Sequence, residues 1–146
     1  MASATGRRRL LLLLLLCTTI ATASSSGRIS PGSIPGNQWV HLNEYGGTAL
    51  ARNSCRVAAA LILSHFNVHV NYRAYVKAAM LIVGTHEARI SVEFLANEDL
   101  DGTTWSVIVT VLYGTSLHLA LAPEVDRLAS YWLVDLPKIL YLIPHD

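Results

Sequence analysis

Few side chains in this sequence have the types and spacing that chemistry requires. Cys55 lies in an apolar helical pattern, where a thiol is ordinarily buried and its thiolate suppressed, so neither a Cys–His nucleophile nor a reactive thiol is expected from it. His65 and His69 have two-ligand spacing, but Asn67 between them is a helix stop and no third ligand is near, so no metal site is expected. Glu98, Asp99 and Asp101 fall in an acidic segment that ends in Asp101-Gly102; they read as solvated turn residues without calcium-loop spacing. There is no phosphate-binding glycine loop and no Asn-x-Ser/Thr acceptor. Catalysis and bound cofactors are therefore not expected. What remains is the stretch Val70 to Phe94, which reads as two strands meeting near Gly84.

The chain that must position this stretch has 146 residues, of which 52% are hydrophobic and 14% charged, with a net charge of +1. That balance argues for one folded domain and against disorder. It also gives no electrostatic footprint for nucleic acid. Arg7 to Arg9, seven leucines from Leu10 to Leu16 and then Ala21-Thr22-Ala23 have the order of a secretory signal peptide (residues 1–23), with cleavage expected after Ala23. The apolar run is shorter than the ~20 residues a spanning helix needs, so no membrane insertion is expected after its removal and the protein is expected to be secreted. Residues 24–37, rich in Ser, Gly and Pro, read as a flexible arm before a domain at 38–146. Loss of the leader removes Cys17 and leaves Cys55 as the single cysteine, which excludes an intramolecular disulfide.

Within the domain, Trp39, Val40 and Leu42 form a short apolar anchor, and a cap at Thr48 opens a helix to about Phe66. Leu50, Val57, Ala58, Leu61, Ile62 and Phe66 recur at helical spacing, and Asn67 suits the left-handed stop. Val68, Val70, Tyr72 and Ala74 alternate in a first strand continuing to Lys77. Ile82 to Leu95 read as the second strand, and Trp105 to Tyr113 as a third, central one. Trp39 and Trp105 are expected in the core. Ser116 to Ala122 either extends the sheet or packs irregularly, Glu124 to Trp132 suits a short helix, and Ile139 to Ile143 suits a closing strand. The fold class is α+β, one helix on an antiparallel sheet of about four strands. The nearly uncharged segment Val107 to Ala122 is a candidate edge for self-association.

The residues Val70, Tyr72, Tyr75, Val76, Lys77 and Ala78, then Met80, Ile82 and Gly84, resemble the core pattern of the cystatins, inhibitors of papain-like cysteine proteases, and of the plant type above all. Arg56-Val57-Ala58 resembles the Arg-Phe-Ala of the plant helix signature, with Leu50-Ala51-Arg52 as an alternative register. Trp132 with Ile139, Leu142 and Pro144 resembles the family's ending, Tyr131 standing at the proline position. The resemblance covers about Pro35 to Pro144. It departs at Met80, where the family has a glutamine, in having one residue fewer between Lys77 and Gly84, and in the long segment between Tyr113 and Tyr131. It implies a cystatin-like fold and a wedge filling a protease cleft reversibly and non-covalently. The wedge would comprise Gly36 in the arm, Met80, Leu81, Ile82, Val83 and Gly84 in a first loop, and Tyr131 and Trp132 in a second. It implies no catalytic residue, metal or cofactor. A cystatin-fold interaction or structural protein without inhibitory activity is the alternative.

Overall fold

The computed structural model describes residues 36–145. The expected leader, its cleavage point and nearly all of the arm lie outside the described residues. Six strands form one antiparallel sheet: β1 (Trp39–His41), β2 (Val70–Val83), β3 (Glu87–Leu100), β4 (Thr103–Ser116), β5 (Trp132–Leu133) and β6 (Lys138–His145). Their order is β1-β2-β3-β4, with β5 and β6 following each other along the far edge of β4. The main helix, α1 (Asn43–Phe66), packs on β2 and β3. The expected count of four strands rises to six because β1 and β5 are only three and two residues long, too short for alternation to reveal.

Helix α1 is broken at Gly47, whose φ of 63° is left-handed, so its regular part begins at the expected Thr48 after one preliminary turn. Asn67 ends it at φ 52°, and its amide donates to the Leu63 carbonyl (3.0 Å). The buried face carries Leu50, Ala51, Cys55, Val57, Ala58, Leu61 and Ile62. The alanines on it leave room for the sheet, where the large side chains Met80, Ile90, Phe94 and Tyr113 fill the space. Tyr113 ties the layers together by donating to the Ser54 carbonyl (3.1 Å).

Strand β2 departs from simple alternation. Register shifts lie between Tyr72 and Ala74 and between Tyr75 and Lys77, so Arg73 and Val76 are bulge residues. Tyr75 therefore pairs with Phe94 and packs on the core, whereas Val76 is 54% exposed. Two bulges restore the original phase, and Ala78, Met80 and Ile82 face α1 again. Ile82 thus belongs to β2, and the turn after it is Gly84-Thr85-His86.

Strand β3 reaches Leu100, so most of the expected acidic loop is strand. Only Asp101 (φ 53°) and Gly102 (φ 78°) form the turn, the pair of positive φ values that matches the twist of a two-residue hairpin. Glu98 is buried at 2% exposure rather than solvated, and it accepts a hydrogen bond from the Tyr141 hydroxyl (2.5 Å) on β6. Tyr141 also stacks edge-on against Trp105 at 5.8 Å, and that ring is partly buried, at the margin of the core. Removing this donor beside a buried carboxylate weakens the fold: Tyr141→Phe should lose about 1–3 kcal/mol, read as a lower urea midpoint with unchanged slope.

After β4 the chain forms a five-residue helix, α2 (Leu117–Leu121), and a 3₁₀ helix (Val125–Ser130). Ser116 caps α2 by accepting from the Leu119 amide, which ends β4; the segment is a short helix, neither of the two expected forms, because this cap diverts the chain from the sheet. Strand β4 has β3 on one side and β6, then β5, on the other, so Val107 to Gly114 is interior and not an edge.

Candidate functional site

Three chain segments meet at one end of the sheet. Gly36 makes a parallel bridge to Ile82, and the Asn37 amide donates to the Ile82 carbonyl (3.3 Å). Ile82 pairs with Ala88 and Ala88 with Thr115, whose hydroxyl donates to the Ser130 carbonyl (3.0 Å). Gly36, Ile82, Ala88 and Thr115 therefore form one row across the sheet, roughly 14 Å wide at the usual strand spacing, with Ser130 held at its end by the Thr115 hydroxyl. The turn at Gly84 projects beyond that row with Gly84, Thr85 and His86 all exposed. Gly84 has φ 67°, a left-handed value that suits glycine, and open space surrounds the position a Cβ would take.

Trp132 stands one row further in. It pairs with Gly114, and Gly114 with Arg89, which in turn pairs with Leu81. This row lies on the sheet face away from α1. The indole covers Gly114 so closely that a Cβ there would come within 2.5 Å of the ring. Glycine at 114 is thus the seat that holds Trp132 flat on the sheet, and the ring remains 41% exposed. At the other end of the same row Trp39, paired with Leu81, is half-buried on the outer face instead of in the core.

The side chains of the expected site divide accordingly. Gly36, Gly84 and Trp132 are exposed, and Leu81 and Val83 are half-buried on the outer face. Met80, Ile82 and Tyr131 are in the core: Met80 is fully enclosed between β1 and β3 under α1, and Tyr131 packs edge-on to Tyr113 at 5.8 Å. Burial raises the Tyr131 hydroxyl pKa, and its oxygen accepts from the Glu124 amide (2.9 Å). Met80 is six places from the turn's end and contributes no side chain to it.

The sequence reading missed a clamp between the two loops: the Leu117 amide donates to the His86 carbonyl (2.8 Å), fastening the start of α2 to the first turn. Ser116 followed by an apolar run was its one sequence signal. The Arg89–Glu87 pair (3.5 Å) is the charged feature beside this end. On the same outer face a pocket of about 70 Å³ lies among Trp39, Ser91, Thr110, Leu112, Asp135, Leu136 and Lys138, well short of the roughly 300 Å³ of a small-molecule site.

Cys55 lies on the buried face of α1, fully enclosed, and burial pushes its thiol from an ordinary value near 9 up to about 12. Roughly one thiol in ten thousand is then ionised at pH 8 in the folded state. Labelling of the chain lacking residues 1–23 by a thiol reagent at that pH should be negligible until urea unfolds it, after which one equivalent reacts at once. Because the folded value is the raised one, the stability contributed by the neutral thiol is fully present below about pH 9 and is lost as pH rises towards 12. Among the described residues no group of three or more His, Cys, Asp or Glu side chains could hold a metal ion. No family model, curated protein or solved structure matches the chain.

Proposed function

We propose that this chain is a secreted, cystatin-like inhibitor of papain-like cysteine proteases, acting reversibly and non-covalently. The observation that carries the reading is the alignment of Gly36, the Gly84 turn and Trp132 at one end of the sheet. An exposed glycine backbone at Gly84 admits close approach of a protease cleft, and main-chain contact there occludes the cleft without presenting a scissile bond. Trp132, rigidly seated and half exposed, supplies a broad apolar contact of the kind that dominates binding energy. Leu81 and Val83 extend it along the outer face, whereas Met80, Ile82 and Tyr131 support the wedge from the core.

Titration of papain by the chain lacking residues 1–23, with circular dichroism to establish folding, tests the reading. Stoichiometric loss of activity is expected. A folded chain that leaves papain active at large excess removes it.

The second reading is a non-inhibitory cystatin-fold interaction protein. It is favoured by Met80, which places an enclosed apolar side chain where the resemblance calls for a loop glutamine, and by the helical segment clamped to His86. That segment broadens the wedge beyond two slender loops.

A further inference from the structure

Charge is unevenly shared between the two parts of the fold. Residues 43–83, which form α1 and β2, carry Arg52, Arg56, Arg73 and Lys77 against the one acid Glu44, whereas residues 84–145 carry eight acids against three cations. In that second part Glu87 and Glu124 lie 3.5 and 2.9 Å from the guanidinium groups of Arg89 and Arg127. Arg52 and Arg56, exposed one turn apart on α1, make no ion pair among the described residues. Like charges at that spacing disfavour a helix, so local stability does not account for them. Arg56 stands over the Tyr72 ring of β2 at 5.9 Å, and that ring packs 5.8 Å from Phe94. Burial raises the Tyr72 hydroxyl pKa, and the charges of Arg52 and Arg56 oppose the rise. Among the described residues β2 has no strand beside it from Val70 to Lys77 on the side away from β3, since β1 pairs only with Ala79 to Leu81. On this open stretch Val76 is exposed between Arg73, which donates to Asn97 Oδ1 (3.5 Å), and Lys77, which sits opposite Glu93.

We infer that the open stretch of β2, with Arg52 and Arg56 beside it, is a docking surface for an extended acidic peptide segment of another protein. A guanidinium fork takes up a carboxylate through two parallel hydrogen bonds, and Arg56, already placed over Tyr72, loses little freedom in doing so. Spacing favours a peptide as the source of the anions. Side chains one helical turn apart start about 6 Å from each other, and alternate residues of an extended chain lie roughly 6.6 Å apart. Acids at every second position therefore meet Arg52 and Arg56 in step. The bulges at Arg73 and Val76 prevent a full added strand, so side chains carry the contact. Val76 supplies an apolar point for a peptide side chain, which a sulfated glycan or a nucleic acid does not offer. Tyr72 lies roughly 30 Å along β2 from the Gly84 turn, so docking here is independent of protease inhibition.

The test is fluorescence anisotropy of a labelled peptide that alternates glutamate with serine around one leucine, titrated with the chain expressed from its full sequence in a secreting host. Saturable binding is expected, weakening by about fivefold or more between roughly 50 and 200 mM salt. Arg52→Gln/Arg56→Gln, which alters exposed positions only, should lower affinity about tenfold or more while keeping the wild-type circular dichroism spectrum. Arg127→Gln, which removes a cation from the acidic part, should leave affinity within about twofold. Arg56→Lys keeps the charge without the fork and should still lose several-fold; it is the variant to compare if the double substitution unfolds the chain. A wild-type chain that leaves the peptide free at about 200 µM overturns the inference. So does equal binding of the same peptide with glutamine in place of every glutamate, or tighter binding of heparin or DNA that depends on the same two arginines.

Discussion

Gly84→Trp should abolish inhibition of papain while leaving the far-ultraviolet spectrum close to wild type and lowering the urea midpoint without unfolding the chain. The two halves of that expectation have separate causes. Gly84 sits at the tip of an exposed turn, and open space surrounds its Cα, so an indole there meets no part of the fold. The left-handed φ of 67° costs an L-residue about 1–2 kcal/mol, which a domain of ordinary stability tolerates. Binding is a different matter. In the proposed wedge the glycine backbone approaches the cleft, and a bulky side chain holds the two surfaces apart along the whole front from Gly36 to Trp132. Loss of a central contact of this kind costs about 2–4 kcal/mol, or roughly 30- to 1,000-fold in the inhibition constant. If inhibition persists within a few-fold of wild type, the contact lies elsewhere.

Phe94→Ala should bring the largest loss of stability, about 3–5 kcal/mol. Phe94 is fully buried on β3, the strand between β2 and β4, paired with Tyr75 on one side and Val109 on the other, with the Tyr72 ring 5.8 Å away. It fills the space opened by the alanines of α1, so truncation leaves a cavity that no neighbour can close without moving the helix. A sharply lowered urea midpoint is the readout. A change below about 1 kcal/mol would mean that β3 and α1 can collapse together, contrary to the packing described.

Much of this fold was legible where a local signal and a burial pattern agreed. Asn67 ends the helix because asparagine tolerates the left-handed region, and Asp101-Gly102 turns the hairpin for the same reason. The alternation of Ala88, Ile90, Val92 and Phe94 identified the strand against α1. The failures share a different cause. Bulges at Arg73 and Val76 shift the inward position to Tyr75, and nothing in a period-two pattern announces a bulge. Glu98 was read as solvated because its type outweighed its position: Ala96, Glu98 and Leu100 continue the inward phase of Phe94, and the hydroxyl that satisfies the carboxylate lies 43 residues further on. At the candidate site, Gly84 and Trp132 were found by their residue types. The seat of Trp132 on Gly114, and the exclusion of Met80 from the turn, depend on strand register, which only pairing between distant segments fixes.

The shared edge of β4 has a consequence for how this scaffold tolerates change. Strands β5 and β6 occupy successive stretches of one edge, and the detour through α2 and the 3₁₀ helix leaves β4 at Ser116 and returns at Trp132, next to its own departure. Such a closed excursion can grow or shrink without altering the register of any long strand, since loop closure costs little more as length increases. The segment between Leu121 and Ser130 is therefore the natural place for grafting foreign sequence, with the hydrogen bonds from Leu117 to His86 and from Thr115 to Ser130 as the staples to keep.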